Sequence, residues 1–299
     1  MAIRCIQGYG GDKLQINEFK LEDIADNASI MMIAKRGSGK SWVCRELMLH
    51  YKNMPVGIVI APTDKLNGFY KHFFSDVYVH NKYNSSIFER LLFRQMKILE
   101  KIKYHPNLKP EIFVIMDDCL SSKKSWIKDG PIMEVLFNGR HYKITYILTM
   151  QYPLGIPPEL RSQFEYIFLL KDDIHSNLRK IYEHYAGIFP TYESFHQVYT
   201  QLTADHGCMV IVNTERHKKP IEGTSFLNKI FWFKAKDIEN LPNIGCKQFI
   251  KFHEKNYDSN WEKKEFQFDV NQFCMEQKKN KGVIKIEKIS TQQLEQLAA

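Results

Sequence analysis

The chain has 299 residues, 44% of them hydrophobic, which is enough to bury a sizeable core as one large domain with an extension or as two modest domains. Its formal net charge of +8 and pI near 9.0 admit a polyanionic partner, but 34 acidic residues stand against 42 Lys and Arg, so charge alone favours nucleic acid only weakly. Three features of the sequence argue against a secreted, zinc-finger or membrane-spanning protein and lead us to expect a soluble, intracellular one. Cys5, Cys44, Cys119, Cys208, Cys246 and Cys274 are widely spaced without a C-x-x-C pair, the start "MAIRCIQGYGGDKLQ" is no signal peptide, and no apolar run approaches the ~20 residues of a spanning helix.

In chain order, a lead over 1–27 carries a possible strand at 13–19, and apolar runs then alternate with helix-like stretches. The predicted strands are "ASIMMIA" (28–34), "VGIVIAP" (56–62), "DVYVH" (76–80), "EIFVIMD" (111–117), "ITYILTM" (144–150), "EYIFLL" (165–170) and "CMVIVN" (208–213). Several are apolar almost throughout, as strands covered on both faces require. Between them, "SWVCRELMLHYK", "SSIFERLLFRQMKILEKI", "GPIMEVLFNGRHY" and "DDIHSNLRKIYEHYA" show helical spacing, with Ser85, Pro131 and Asp173 where helix starts are favoured. The βαβα order predicts an α/β fold with a mainly parallel sheet. "KIFWFKAK" supplies one more candidate strand before a Lys/Glu/Gln-rich extension, in which "KKNKGVIKIEK" reads as a solvated charged surface.

The first predicted strand runs into "AKRGSGKS" (34–41) and then a helix beginning at Lys40, the arrangement of a phosphate-binding loop. Ala34, Lys35, Arg36, Gly37, Ser38, Gly39, Lys40, Ser41 and Trp42 form the candidate nucleotide-binding run. Glycines allow backbone N–H groups to approach phosphate oxygens, Lys40 reaches the β and γ phosphates, and the Ser41 hydroxyl binds Mg²⁺. Ala34 stands where the G-x-x-x-x-G-K-[ST] pattern has its first glycine. A loop of this kind needs a carboxylate for the metal and a polar partner for the attacking water. "IFVIMDD" offers Asp117 for Mg²⁺ and Asp118 to polarise water, an Asp where many motors carry Glu.

Gln151, at the end of the next strand, is a candidate sensor of the γ-phosphate, because ligands gather at the carboxyl edge of open α/β sheets. Arg140 and Arg161 are each either an arginine finger for a neighbouring subunit or a surface arginine satisfying helix-terminal carbonyls. His141, His175, His184 and His196 share no metal-ligand spacing, and no nucleophilic triad is identifiable.

Taken together, "AKRGSGKS", "IMDDC", "LFNGRHYKITYILTMQ" and "APTDKLNGFYKHFF" resemble the poxvirus-type DNA-packaging ATPases of nucleocytoplasmic large DNA viruses, from about 28 to 235. That family sits with the FtsK and HerA translocases. The resemblance implies a RecA-like P-loop domain over 28–235 with a charged extension over 236–299, and ATP and Mg²⁺ as cofactors. It also implies a homo-oligomeric ring that moves double-stranded DNA into a capsid at a viral assembly site in the host cytoplasm, with capsid or membrane proteins as further partners. Carried over by residue, it gives Lys40 and Ser41 to phosphate and metal, Asp117 and Asp118 to the acidic motif, Gln151 to the sensor, and standing to Arg140. A P-loop small-molecule phosphotransferase and a non-hydrolysing nucleotide-binding scaffold are the alternatives. For DNA contact the expectation falls on Lys123, Lys124 and Lys128 around Trp126, with "ERHKK" (215–219) next; the alternative is a solvated basic loop with Trp126 tucked against the core.

Overall fold

The computed structural model describes residues 3–7, 13–119, 126–223, 225–237, 242–258 and 260. Its centre is set by strand alternation. In β3 (Ser29–Ile33), Ile30 and Met32 enter one apolar layer while Met31 and Ile33 enter the other. In β6 (Ile112–Asp117), Ile112, Val114 and Met116 face the second layer, and Phe113 and Ile115 the first. With a side-chain period of two, both faces of these strands are dry, which is why they read as unbroken apolar runs.

The ten-stranded sheet also contains β1 (Ile3–Gln7), β2 (Lys13–Glu18), β4 (Val56–Ile60), β5 (Val79–His80), β7 (Ile144–Met150), β8 (Tyr166–Leu170), β9 (Gly207–Val212) and β10 (Ile230–Lys234). Its order is β1-β2-β10-β9-β8-β3-β7-β6-β4-β5. From β8 to β5 every pair is parallel, whereas β9 runs antiparallel to both β8 and β10. Strand β10 pairs parallel with β2, and β1 closes that side antiparallel. The fold is a mixed α/β P-loop sheet flanked by helices, as the alternation predicts.

Helix α1 (Lys40–His50) covers one face through Val43, Cys44, Leu47 and Met48. Helix α2 (Asp64–Asn67) is a single turn after β4. The opposite face carries α3 (Ser85–Ile102), α4 (Gly130–Asn138), α5 (His175–Tyr185) and α6 (Tyr192–Leu202), whose Phe88, Leu91, Ile132, Val135, Ile181 and Phe195 share one apolar layer. Burying each such side chain stabilises the layer by about 1.5–3 kcal/mol.

Local chemistry adjusts the predicted boundaries. In "DVYVH" only Val79 and His80 pair, against Val59 and Ile60, and residues 76–78 form a 3₁₀ turn. At this sheet edge a strand has one partner, and Tyr78 instead stacks on Phe249 with ring centroids 3.6 Å apart. Phe249 belongs to α7 (Lys247–Asn256), a helix not expected within the charged extension. The helix "YESFHQVYTQL" and strand β1 also go beyond the predicted set; the former starts on a capping box between Thr191 and Ser194. Asp173 caps nothing: the start of α5 is held by Asp172, which accepts from Ile174 N at 2.8 Å and Asn177 Nδ2 at 2.9 Å. By contacts the chain divides into Met1–Asn256 and Tyr257–Ala299, and "KKNKGVIKIEK" lies outside the described residues.

Candidate nucleotide site

The carboxyl ends of the parallel strands and the amino end of α1 meet at one edge of the sheet. Between β3 and α1 the backbone turns through left-handed conformations at Gly37 (φ 80°) and Gly39 (φ 101°), which side chains with a Cβ resist by about 1–2 kcal/mol. This conformation lets GSGKS double back onto its own helix. Ser38 closes the turn, its N and Oγ donating to the Lys35 carbonyl at 3.2 and 2.7 Å. Gly39 is the residue before α1, so the first unpaired N–H groups and the positive end of the helix dipole face outward beside Lys40.

Strand parity then decides which acid meets Lys40. Asp117 lies two residues from Ile115 and four from Phe113, hence on the α1 face, and Thr149 sits opposite it on β7. Lys40 Nζ stands 2.9 Å from Asp117 Oδ1, which also accepts from Thr149 Oγ1 at 2.5 Å. Asp117 Oδ2 accepts from Tyr70 OH at 3.0 Å. Burial lowers the Lys40 pKa, but the charge and hydrogen bond of Asp117 outweigh it and hold the ammonium above its ordinary value. Burial followed by the Asp117 charge drives the Tyr70 phenol well above its usual range, so it stays a donor. Burial also pushes the Cys44 and Cys119 thiols up, which removes them as nucleophiles.

Asp118 follows in a left-handed conformation (φ 55°), which swings its carboxylate away from the direction taken by Asp117. Its N–H donates to Thr149 Oγ1 at 3.2 Å and its Oδ2 accepts from Gln151 Nε2. One threonine hydroxyl therefore links both acids, and the predicted sensor touches the predicted water-polarising residue. Strand β7, lying between β3 and β6, is what brings Gln151 between loop and acids.

A cavity of about 770 Å³ fills the space in front. Residues 34–37 and 39–42 line it with Asp117, Asp118 and Gln151; Ser38 is buried behind the loop. Thr63, Asp64, Asn67, Phe69 and Tyr70 form a second wall, and His206, Lys234, Ala235 and Asp237 a third. Of these, Tyr70 stands in a quoted motif without an assigned role; Thr149, buried behind Asp117, is a polar residue near the end of an apolar strand and has no predicted role. The third wall carries no local signal. Trp42 is 43% exposed at the rim, with the Arg45 guanidinium 4.0 Å from its ring centroid.

Other expected residues lie elsewhere. Arg140 is exposed in the turn before β7, at the opposite end of that strand from Gln151, and its Nε donates to Nε2 of its neighbour His141 at 3.3 Å. Seven residues of strand separate the two ends by roughly 20 Å, so Arg140 does not reach its own subunit's cavity. Arg161 Nε donates to the Ile156 carbonyl at 2.9 Å and its guanidinium packs on Tyr185, so it braces its own loop. Lys128 is exposed, while Lys123 and Lys124 lie outside the described residues. Trp126 is fully buried and donates to the Cys119 carbonyl at 3.0 Å, which makes it an anchor rather than a surface aromatic. In "ERHKK", Arg216 pairs with Glu165 at 2.9 Å and Lys218 with Asp26 at 2.7 Å.

No family model matches the chain. Among curated proteins, uncharacterized protein L437 of Acanthamoeba polyphaga mimivirus is 46% identical over 251 residues, 83% of this chain and 86% of that protein. The chain belongs to this family of nucleocytoplasmic large DNA virus proteins. Uncharacterized protein 075L of Invertebrate iridescent virus 6 is 30% identical over 79% of this chain and 88% of its own length. These relatives come from the group of viruses to which the motif resemblance points. Among solved structures, the genome packaging NTPase B204 of Sulfolobus turreted icosahedral virus 2 with ATP-gammaS aligns over 66% of this chain and 98% of its own. The identity is 21% and the TM-score 0.46. Among the described residues no helix is long and apolar enough to cross a membrane.

Proposed function

We propose that the protein hydrolyses ATP in this cavity and uses the reaction to move double-stranded DNA, packaging a viral genome as a homo-oligomeric ring. The observation that carries the reading is the convergence of Lys40, Asp117, Asp118 and Gln151 on one cavity beneath a glycine-turned loop, with Thr149 joining the two acids from behind. The motif resemblance and the viral relatives support the genome-packaging role, and the proposal extends to an assembly site in the host cytoplasm and to capsid or membrane proteins as partners.

The residues also fit Mg²⁺. Ser41 is exposed at the first turn of α1 and Asp117 offers a carboxylate, both hard oxygen donors. Among the described residues no cluster of three or more His, Cys, Asp or Glu side chains is spaced for a metal. Mg²⁺ needs none, because it keeps several waters and is held by one or two carboxylates with phosphate oxygens. When bound it neutralises charge on the β and γ phosphates. Lys40 carries the protein's own charge to those phosphates, leaving Asp117 to Thr149 and Tyr70. The loop N–H groups and the α1 terminus stabilise charge that grows on phosphate oxygens. Asp118 and Gln151, already hydrogen-bonded, orient water at the far side. We assign Arg140, exposed and remote from its own cavity, to a neighbour's site, and DNA contact to the basic segment that carries Lys123, Lys124 and Lys128.

ATP turnover measured with and without duplex DNA tests the reading. Stimulation by DNA is expected. Turnover that requires a small acceptor identifies a phosphotransferase, and tight ATP binding without turnover a scaffold. Replacing Lys123, Lys124 and Lys128 together by Ala should keep basal turnover while removing DNA stimulation and flattening the salt dependence of DNA binding. Unchanged stimulation and salt slope would place the grip elsewhere.

A further inference from the structure

The turn that leads into β9 holds two consecutive residues in the left-handed region, Asp205 (φ 51°) and His206 (φ 58°). Side chains with a Cβ visit that region mostly one residue at a time, so a pair persists only where the surroundings fix it. Here they do. Thr203 N and Oγ1 both donate to the Tyr199 carbonyl, at 2.9 and 2.8 Å, and Lys234 holds Asp205 at 2.5 Å. A Cβ added at Gly207 would meet the Leu202 carbonyl oxygen at 2.3 Å, so the chain has no slack on the far side.

His206 is what this turn presents. A Cβ added at Gly39 would lie 3.6 Å from His206 Cβ and 3.8 Å from its Nδ1, so the imidazole stands against the last glycine of the loop, one residue before Lys40. The side chain is exposed and lines the nucleotide cavity together with an adjoining cavity of about 320 Å³ that Lys35, Arg36, Lys171, Asp173 and Asp205 share. Lys35 and Lys171 are both committed to Asp173, at 3.3 and 3.6 Å. Among the described residues neither ring nitrogen of His206 has a hydrogen-bond partner.

Sheet order decides which part of a nucleotide reaches this ring. In the order β9-β8-β3-β7-β6, Gln151 and the two acids lie on one side of the loop and His206 on the other. A nucleotide whose γ-phosphate faces Gln151 and Asp118 therefore directs the rest of its phosphate chain toward His206. Lys40 serves the β and γ phosphates and Gly39 directly precedes it, so the imidazole over Gly39 meets the β-phosphate. We propose that His206 is a phosphate-binding residue that donates a ring N–H to a nonbridging oxygen of the β-phosphate, an assignment that rests on the nucleotide reading above. The turn holds the ring in position before the ligand arrives, which reduces the ordering needed on binding.

Titrations with ADP and, by competition, with AMP test this. His206→Gly removes the ring and suits the left-handed backbone, so its melting temperature should be at least that of wild type while ADP affinity falls by about 10-fold. AMP, which has no β-phosphate, should bind within about twofold of wild type. His206→Asn, whose amide lies near the position of Nδ1 and tolerates a positive φ, should recover part of the loss. ADP affinity within about twofold of wild type in His206→Gly overturns the role of His206 alone, and so does an AMP loss equal to the ADP loss. An Asn variant no better than Gly also overturns it, leaving the ring a packing contact on Gly39. Should His206→Gly not fold, His206→Asp, with the shape of Asn and no side-chain N–H, takes its place. Wild type and Lys40→Ala run alongside: wild-type ADP affinity no higher than that of Lys40→Ala overturns the nucleotide reading and the His206 proposal with it.

Discussion

The parallel half of the sheet, from β8 to β5, and the mixed flank β9-β10-β2-β1 contribute to the same cavity in different ways. In the parallel half every strand delivers its carboxyl end to one edge, so Lys40, Asp117, Thr149 and Gln151 arrive there from elements far apart in sequence. In the flank β9 and β1 run against β8, whereas β10 and β2 run with it. From the flank, His206 before the start of β9 and Lys234, Ala235 and Asp237 at and beyond the end of β10 line the cavity. These residues form a wall, tied by the Lys234–Asp205 ion pair at 2.5 Å and by Lys236 N donating to Glu46 of α1 at 2.7 Å. Chemistry concentrates where strand ends and a helix dipole converge, and the flank shapes the space they face.

That contrast can be broken by exchanging effects between the halves. Lys40→Ala should take turnover to background and weaken ATP binding, because the loop loses its formal charge against the phosphates; an ATPase assay with a nucleotide titration reads both. Arg140→Ala subunits should bind ATP normally yet turn over about 1,000-fold more slowly, as loss of a finger acting in trans requires. Mixed oligomers with Lys40→Ala subunits should regain part of the activity, and no recovery in verified mixtures would remove Arg140 from the neighbour's site.

Smaller effects sharpen the comparison. Asp118→Asn should slow turnover by about 10-fold with ATP affinity retained, because an amide still orients water; a loss of affinity matching Asp117→Asn would exchange the two roles. Lys234→Ala, in the flank wall, should weaken ATP binding by a few-fold and leave saturated turnover intact, as expected of a contact equal in ground and transition states. The smallest effect is structural. His217, after β9, lies against Phe19 and Tyr166, and burial lowers its pKa, with Asp23 opposing and Lys219 adding to the shift. The unfolded chain therefore binds the proton more readily, so stability is lost as pH falls below about 6.5, toward the lowered folded value. His217→Gln should make melting temperature less dependent on pH between about 7.5 and 5.5 without changing turnover at pH 7.5, in keeping with a flank that supports rather than reacts.

The sequence by itself determined the central strands, the loop and the acids, because these depend on local rules: unbroken apolar runs for strands dry on both faces, glycine where φ is positive, a lysine at the first turn of a helix. It also held Gln151, since strand order and the end of an apolar run are both legible. Tertiary structure alone decided which acid Lys40 meets, because that follows from the parity of Asp117 and Thr149 on the α1 face across β7. It alone revealed Asp64 as a buried carboxylate whose Oδ2 has no hydrogen-bond partner, with Oδ1 held by the N–H of Tyr70 six residues later. His206 and Lys234 were invisible for the same reason, their place being set by strand direction in the flank. Trp126 shows the converse: among lysines the sequence leaves it either on DNA or tucked against the core, and the Cys119 carbonyl and a dry core decide for the second. Local sequence fixes backbone conformation within a few residues, but which side chains lose water depends on partners that the chain brings together only by folding.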